Sequence, residues 1–255
     1  MVTMITWNFH CVPVPPFGCP VGHLERVAEY AAALVREHDP DVLVLNEAFV
    51  ALARDTILES LRRVESSWRA TPSDCKGRAQ VGSGVVVAWR GDRFSQTGST
   101  HKITYRNCCQ FDCLAAKGAI HIPLISSDSS RFHVVATHMQ AYEIPLLCDG
   151  VRRTQVEALN SMVETLMESG KIPAGEPVVY VGDFNEEPSQ EFAGALNASH
   201  VTCEGPCITH SIGQVDNFYI RDDARSDPLA ARSKIVHAPG LANPSDHEPL
   251  MMVWS

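Results

Sequence analysis

The sequence of 255 residues lacks any long apolar run, and no segment approaches the about 20 apolar residues that a helix needs to cross a bilayer. Residues 1–7 contain neither a basic segment nor a long apolar stretch, so no signal peptide is visible. A cytoplasmic location is therefore expected over a secreted one. The chain also lacks internal repeats, low-complexity tracts and long linkers. We expect a single domain that covers residues 1–255.

Basic residues are few. Lysine and arginine number 21 against 30 acidic residues, which gives a formal net charge of −9. Proteins that bind nucleic acid usually carry a basic face, because contacts to phosphate dominate their affinity. The composition therefore argues against DNA or RNA as the substrate. It is compatible with a small or membrane-borne phosphate ester that is bound through a metal ion.

The sequence has nine cysteines but no pair of Cys-x-x-Cys motifs, which argues against a structural zinc site. The odd number leaves at least one free thiol in a monomer. Cys203 and Cys207, four residues apart, could form a bridge or could be two buried thiols. Because no leader is visible, we expect the cysteines to be reduced.

Apolar runs and apolar stripes predict the secondary structure. Continuous apolar runs of the kind found in sheets covered on both faces predict strands over 4–7, 41–45, 84–89, 132–137, 178–181, 215–220 and 250–254. Apolar stripes predict helices over 24–35 and 152–168, and a shorter helix over 189–196 that begins with Ser189 as N-cap. Strands that alternate with helices imply layered sheets with helices outside them.

Polar residues stand at or just beyond the ends of several of these strands: Asn8, Glu47, His138, Asp183 and Asn185. Any one of them could simply begin a turn, but five in one chain favour a shared site. A phosphodiester is anionic and repels a nucleophile, so its hydrolysis needs a cation and neutral donors on its oxygens. Glu47 and Asp183 offer hard oxygen ligands for Mg²⁺, and Asn8 and Asn185 can donate to phosphate oxygens.

A histidine near the C-terminus is the best candidate for a general base. His247 lies in Ser245-Asp246-His247, just before the last apolar run, and the pKa of an imidazole lies near neutrality. Such a base needs a carboxylate to orient it. Asp216, at the start of an earlier apolar run, could do so. Asp246 could equally fill that role or bind metal.

Together these motifs resemble the endonuclease/exonuclease/phosphatase superfamily. The matching segments, in order along the chain, are residues 6–8, 46–47, 137–138, 182–185, 215–216 and 245–247. The resemblance implies a DNase-I-like fold of class α+β, a four-layer αββα sandwich. Within the superfamily, Thr137-His138-Met139-Gln140-Ala141 and the segment 113–118 resemble the neutral, Mg²⁺-dependent sphingomyelinases.

The resemblance implies roles for individual residues. Metal binding is assigned to Glu47, Asn8 and Asp246. Catalysis is assigned to His247 as the general base or acid, to Asp183, which positions or activates the attacking water, and to His138, Asn185 and Asp216. Substrate binding is assigned to Asn185, His138 and Lys117, although Lys117 could also be a solvated surface charge and Gln140 could only hold a loop. The resemblance also places Cys148 where secreted relatives can carry a disulfide, but we expect a free thiol there.

The expected function is that of a Mg²⁺-dependent phosphodiesterase, with Mn²⁺ or Co²⁺ as substitutes, that cleaves sphingomyelin to ceramide and phosphocholine by in-line attack of water. The expected partner is a phospholipid at a membrane surface. The chain itself is expected to be a monomer. Residues 221–244 show no exposed aromatic hairpin of the kind that secreted bacterial members use to touch membranes. Two alternatives stay open: a nuclease or another phosphoesterase of the superfamily, such as a phosphoinositide phosphatase, and a catalytically inactive binding module.

Overall fold

The computed structural model describes residues 1–11, 19, 21–72, 82–141, 148, 150–222 and 230–254. Two β-sheets are packed between two layers of helices. The elements are β1 Val2–Asn8, α1 Val21–His38, β2 Val42–Asn46, α2 Ala51–Val64, β3 Trp68–Ala70, β4 Val86–Arg90, β5 Phe94–Gln96, β6 His101–Thr104, a 3₁₀ turn Gln110–Leu114, β7 Gly118–Ser126, β8 Arg131–His138, α3 Val151–Glu168, β9 Val178–Asp183, α4 Gln190–Ala195, β10 Ser199–His200, β11 Asp216–Arg221, β12 Ala231–Ile235 and β13 Leu250–Trp254.

The first sheet has the strand order β12-β13-β1-β2-β4-β3, and the second has the order β10-β11-β9-β8-β7-β5, with β6 also paired to β7. The pairs β1–β2 and β8–β9 are parallel. The other strand pairs are antiparallel. Both sheets are therefore mixed, and each has one parallel pair whose carboxyl ends lie side by side.

Three apolar clusters hold the layers together. The middle cluster lies between the sheets and contains Val44, Val134 and Val181. One outer cluster packs α1 and α2 on the first sheet, and the other packs α3 and α4 on the second. This is the four-layer αββα sandwich of class α+β that the sequence predicts. The strands are buried on both faces, which is why they read as continuous apolar runs. The extent of the domain as a single unit over 1–255 stays a prediction.

The predicted helices and strands are present, with shifted ends. The oxygen Oγ of Ser189 accepts a hydrogen bond from the backbone N–H of Phe192 at 3.1 Å, which confirms the predicted N-cap of α4. The sequence interpretation overlooked α2, although its buried residues follow helical spacing: Ala53, Ile57, Leu58 and Leu61. It also overlooked β7, a mostly buried strand of nine residues whose apolar run is interrupted by His121 and Pro123. Several short strands were overlooked as well, because few of their residues are buried and the apolar pattern is weak.

The strand register brings together residues that are far apart in the sequence. In the second sheet, Asp183 of β9 pairs with Asp216 of β11 on one side and with His138 of β8 on the other. In the first sheet, Asn8 pairs with Asn46 at the ends of β1 and β2. Because the two sheets are stacked, these strand ends share one edge of the sandwich. The polar residues predicted from the strand ends therefore lie together.

The expectation of reduced cysteines is wrong. Eight of the nine cysteines are paired, as Cys11–Cys19, Cys108–Cys113, Cys109–Cys148 and Cys203–Cys207. The free thiol expected at Cys148 is therefore wrong as well, and Cys75 lies outside the described residues. A sequence does not show which cysteines the tertiary fold brings within bonding distance, and three of these pairs span fewer than ten residues. Within the described ranges, no helix is long and apolar enough to cross a membrane.

Candidate active site at the ends of the central strands

The amide of Asn8 joins two carboxylates that come from different sheets. Its Nδ2 donates to Oε1 of Glu47 at 3.1 Å and to Oδ2 of Asp183 at 2.9 Å. Its Oδ1 accepts the backbone N–H of His10 at 3.0 Å. Asn8 and Asp183 are each almost fully buried. Two carboxylates bridged by one neutral donor form a compact, negatively charged centre.

Backbone conformation directs two of these side chains. Glu47 and Asn185 have φ values of 69° and 51°, in the left-handed region that non-glycine residues rarely adopt. Such conformations cost about 1–3 kcal/mol each and cluster at functional sites. Gly182 has φ 133°, and a Cβ there would collide with the carbonyl oxygen of Thr137. Glycine at this position lets β9 pair closely with β8 and places Asp183 beside His138.

His247 forms a hydrogen-bonded dyad with Asp216. The distance from Nδ1 of His247 to Oδ2 of Asp216 is 2.7 Å, and Nε2 lies 4.0 Å from Oδ2 of Asp183. Burial lowers the pKa of His247, but the carboxylates of Asp216, Asp183 and Asp246 outweigh it and raise the pKa to about 10. In the absence of metal, these carboxylates therefore favour the protonated ring, whose Nε2 faces Asp183.

The Ser-Asp-His segment is anchored to the first strand of the chain. Oγ of Ser245 donates to the backbone carbonyl of Asn8 at 2.7 Å and accepts the backbone N–H of His247 at 3.1 Å. The indole Nε1 of Trp7 donates to the carbonyl of His247 at 3.1 Å. These bonds fix the imidazole relative to the carboxylate centre. The serine is therefore a positioning residue for His247.

His138 is buried on the opposite side of Asp183 from Asp216. Its Nε2 lies 3.7 Å from Oδ2 of Asp183, and its ring packs on Phe49 with centroids 5.9 Å apart. Burial, with the charges of Lys117 and His247, holds the pKa of His138 well below its usual value. The ring is thus neutral. Its Nδ1 is buried and makes no hydrogen bond to any described residue.

Asn185 and Lys117 converge on one carbonyl group. Nδ2 of Asn185 and Nζ of Lys117 donate to the carbonyl oxygen of Met139 at 3.1 and 2.8 Å, and Lys117 also pairs with Asp112 at 2.9 Å. The alternative of a solvated Lys117 is wrong, since the side chain is 6% exposed. Burial raises the pKa of Glu47, and the nearby charge of Lys117 offsets part of that rise. The substrate-binding role of Lys117 stays a prediction, because its ammonium already has two partners.

Gln140 holds a loop. Its side chain accepts the backbone N–H of Cys109 at 2.9 Å and donates to the carbonyl of the same residue at 3.2 Å. Its backbone N–H donates to Oε1 of Gln155 at 2.8 Å. These bonds fasten the segment after His138 to the 108–113 loop and to α3. The glutamine of the Thr-His-Met-Gln-Ala segment thus orders the loop next to the site.

Two histidines that the sequence interpretation left unassigned lie at the rim of the site. Nδ1 of His10 is 2.8 Å from Oδ1 of Asp246, and Nε2 of His210 is 3.5 Å from Oδ2 of the same carboxylate. The ring of His210 packs against that of His247 with centroids 4.7 Å apart. The hydrogen bond to Asp246 raises the pKa of His10. For His10 the only sequence signal was its position two residues after Asn8. For His210, which precedes Asp216 by six residues, there was none.

The donor set fits a divalent cation. Burial raises the pKa of Glu47, and its Oε2 is buried without a hydrogen-bond partner among the described residues. An oxygen left in this way is stabilised by a cation. Potential ligand atoms of Asp183, Asp216 and His247 lie within 4.8 Å of one another, as do those of His210, Asp246 and His247. Glu47 and Asp183 present the hard oxygens that Mg²⁺ prefers, whereas Asp246 is half-exposed and paired with histidines. Its role as a metal ligand stays a prediction.

The model of the endonuclease/exonuclease/phosphatase family matches residues 5–247, which include every predicted site residue. The chain belongs to this family. The family assignment made from the sequence motifs is therefore confirmed. The match begins inside β1 and ends at His247. It therefore covers the second sheet, the first sheet except β13 and the start of β1, and the strand ends that form the site.

Curated relatives place the chain beside the sphingomyelinases. It is 27% identical over 202 residues to sphingomyelinase C 2 of Leptospira interrogans, a match that covers 72% of this chain and 30% of the relative. Matches to the three curated relatives cover 28% to 34% of their length, so the chain spans about a third of those proteins.

Solved structures confirm the fold. A variant of beta toxin from Staphylococcus aureus with bound magnesium ions superposes with a TM-score of 0.78 at 18% identity, covering 100% of this chain and 99% of that chain. Sphingomyelinase C from Streptomyces griseocarneus superposes with a TM-score of 0.74 at 17% identity, covering 98% of each chain. The chain therefore shares the DNase-I-like sandwich with these proteins over 98% to 100% of its length.

Proposed function

We propose that the chain is a Mg²⁺-dependent phosphodiesterase that hydrolyses sphingomyelin to ceramide and phosphocholine. One observation carries the proposal: Asp183 lies between Asn8 and His247, with Nδ2 of Asn8 at 2.9 Å and Nε2 of His247 at 4.0 Å from the same oxygen. A carboxylate, a neutral amide and an imidazolium around one point suit water attack on a phosphodiester. The sphingomyelinase names of the curated relatives support the choice of lipid.

Glu47 would hold the cation, with Asn8 beside it and Asp183 facing it. A bound divalent cation supplies Lewis-acid neutralisation of the charge on the phosphoryl oxygens. Such a cation is needed because Glu47, Asp183 and Asp216 are neighbours. Their carboxylates would otherwise repel the negative charge of a phosphodiester. Mn²⁺ and Co²⁺ accept similar ligands and are the expected substitutes.

Asp183 and the side chains around it would supply the proton transfers and the hydrogen bonds to the phosphoryl group. Oδ2 of Asp183 orients the attacking water and accepts its proton. Nε2 of His247 carries the proton that the ceramide alkoxide takes as it leaves, and Asp216 holds the ring in that orientation through Nδ1. The neutral His138 and the amide of Asn185 donate hydrogen bonds to phosphoryl oxygens without adding negative charge.

A substrate panel tests this function directly. The purified chain is assayed on sphingomyelin, a lysophospholipid, plasmid DNA and an inositol phosphate, each with Mg²⁺ and with a chelator. We expect release of phosphocholine from sphingomyelin only when Mg²⁺ is present, and a rate at least about 10²-fold lower from a His247→Ala variant run in parallel. Nicked plasmid or released inorganic phosphate, without phosphocholine, would assign the site to another substrate class of the same family.

A further inference from the structure

Two short turns on the described surface carry exposed apolar side chains. The 110–114 turn presents Phe111 and Leu114, which are 83% and 47% exposed. The 208–212 turn presents Ile208 and Ile212, each 60% exposed. Apolar side chains that are exposed together on a folded protein can mark a site of contact with a membrane or another protein.

The 110–114 turn is cross-linked by disulfides and is connected to the site through Lys117. The pairs Cys108–Cys113 and Cys109–Cys148 close it. Asp112 accepts the ammonium of Lys117 at 2.9 Å and the backbone N–H of Ala141 at 2.6 Å. Lys117 in turn bonds the same carbonyl as Asn185. Phe111 in this turn is therefore exposed to solvent, and the one carboxylate of the turn, that of Asp112, is neutralised by Lys117.

The 208–212 turn is hydrogen-bonded to the start of β11, on the Asp216 side of the site. Backbone hydrogen bonds between His210 and Gly213 close it, at 3.0 and 2.9 Å. Oγ1 of Thr209 accepts the backbone N–H groups of Val215 and Asp216 at 3.0 Å each. The ring of His210 packs on that of His247. Ile208 and Ile212 thus flank a residue that touches the dyad.

The strand register sets the separation of the two turns. Asp216, Asp183, His138 and Gly118 stand in one row across the adjacent strands β11, β9, β8 and β7. The 208–212 turn leads into β11, and the 110–114 turn leads into β7. Three strand spacings of about 4.8 Å place the two attachment points about 14 Å apart, with Asp183 and His138 between them. The apolar pairs therefore belong to turns that enter the second sheet on either side of Asp183 and His138.

We propose that Phe111 and Leu114 on one side, and Ile208 and Ile212 on the other, dock the chain on the surface of a zwitterionic phospholipid bilayer. The proposal rests on the proposed function, because a headgroup that leaves the bilayer between the two turns would approach the carboxylate centre of Glu47 and Asp183. The net charge of −9 disfavours an anionic bilayer. Neither turn carries an unpaired lysine or arginine, so the attraction comes from apolar contact.

Depth-dependent quenching of one introduced tryptophan tests the docking. The four native tryptophans are all buried, which leaves Phe111→Trp as the exposed indole. The protein is mixed with phosphatidylcholine vesicles containing a doxyl-labelled lipid, in the presence of a chelator so that no turnover occurs. We expect a blue shift and strong quenching of Phe111→Trp, with little change in the wild-type emission. Emission of Phe111→Trp that stays unchanged with saturating vesicles overturns the proposal.

Removal of the apolar side chains gives the complementary measurement. Phe111→Ser/Ile212→Ser is expected to lower vesicle partitioning and the rate on sphingomyelin vesicles by at least about tenfold. Its rate on a soluble choline phosphodiester should stay within about twofold of the wild-type rate. Phe111→Leu/Ile212→Leu, the matched control, should keep both. Equal vesicle partitioning of the serine and leucine variants overturns the proposal.

The same experiments separate failure of docking from failure of the proposed function. If the Phe111→Trp indole is quenched but sphingomyelin is not cleaved, the substrate assignment fails and the docking surface stands. If sphingomyelin vesicles are cleaved equally by the wild type and the serine variant, docking fails and the function stands. A second copy of the chain is the other possible occupant. A dimer in sedimentation that the serine variant abolishes, without any vesicle binding, overturns the proposal in favour of that interface.

Discussion

Nδ1 of His247 lies 2.7 Å from Oδ2 of Asp216, although 31 residues separate them along the chain. The two residues come from the segment before β13 in one sheet and from the start of β11 in the other. The dyad therefore exists only when the two sheets are packed together. It is completed by Asp183, which pairs with Asp216 in the strand register and lies 4.0 Å from Nε2 of His247.

Disruption of this dyad should abolish turnover without unfolding the protein. We expect His247→Ala to lower kcat by about 10²- to 10⁴-fold, since it removes the proton donor to the leaving group. Asp216→Asn should lower kcat by a similar factor, because the amide holds the wrong tautomer of His247. Steady-state kinetics and circular dichroism check both. His237→Gln, which changes an exposed ring, is the control, and near-full activity of His247→Ala would refute the assignment.

Metal dependence should follow the carboxylate of Glu47. A chelator should abolish activity, and Mg²⁺ should restore it. Glu47→Gln keeps the shape of the side chain but removes the charge, so we expect the half-saturating Mg²⁺ concentration to rise more than about tenfold. A Mg²⁺ titration of activity and a calorimetric titration of binding measure this. Asp246→Asn in the same titration tests its predicted ligand role, and an unchanged Mg²⁺ curve would restrict that residue to its contacts with His10 and His210.

Acid should destabilise the fold through a buried histidine pair far from the site. Nε2 of His121 lies 2.8 Å from Nδ1 of His133, whose Nε2 contacts Glu176 at 2.9 Å. Burial, with the neighbouring positive charges, lowers the pKa of His121 to about 3. Between the unfolded value of about 6.5 and this value, the unfolded chain binds the proton and the folded chain does not, so stability falls as the pH falls.

The expected loss from His121 is about 2 kcal/mol in the free energy of unfolding between pH 7.5 and pH 5. Urea denaturation at each pH measures it. His121→Gln removes the titrating group and should flatten this part of the profile, whereas His237→Gln should leave it unchanged. A profile for His121→Gln that is as steep as that of the wild type would show that His121 is not the group responsible.

The disulfide Cys109–Cys148 should contribute more to stability than the short-range pairs. It closes a sequence separation of 39 residues, compared with 4 for Cys203–Cys207. The chain-entropy relation gives about 4 kcal/mol for the long loop and about 2 kcal/mol for the short one. Thermal unfolding of Cys109→Ser/Cys148→Ser and Cys203→Ser/Cys207→Ser compares the two. Titration of free thiols in the unfolded, unreduced protein checks the pairing itself, and nine reactive thiols instead of one would contradict it.

Most of the candidate site was visible in the sequence because its residues stand where apolar strands end. Asn8, Glu47, His138 and Asp183 were predicted in this way, and the structure brings them together. His10 and His210 were not predicted, because nothing in their sequence neighbourhood specifies that both meet Asp246. Lys117 was predicted near the substrate, yet its ammonium group is bound to Asp112 and Met139.

The sequence by itself determined the layered fold and the family, since buried strands read as continuous apolar runs and the site motifs keep their order along the chain. Only the tertiary structure decided which cysteines form disulfides, which histidines contact Asp246, and that Phe111 and Ile212 are exposed on turns. The physical reason is the range of each interaction. The burial pattern of a strand or helix is visible in residues that are close in the sequence. Disulfides, ion pairs and surface shape instead depend on segments that meet only after the two sheets have packed.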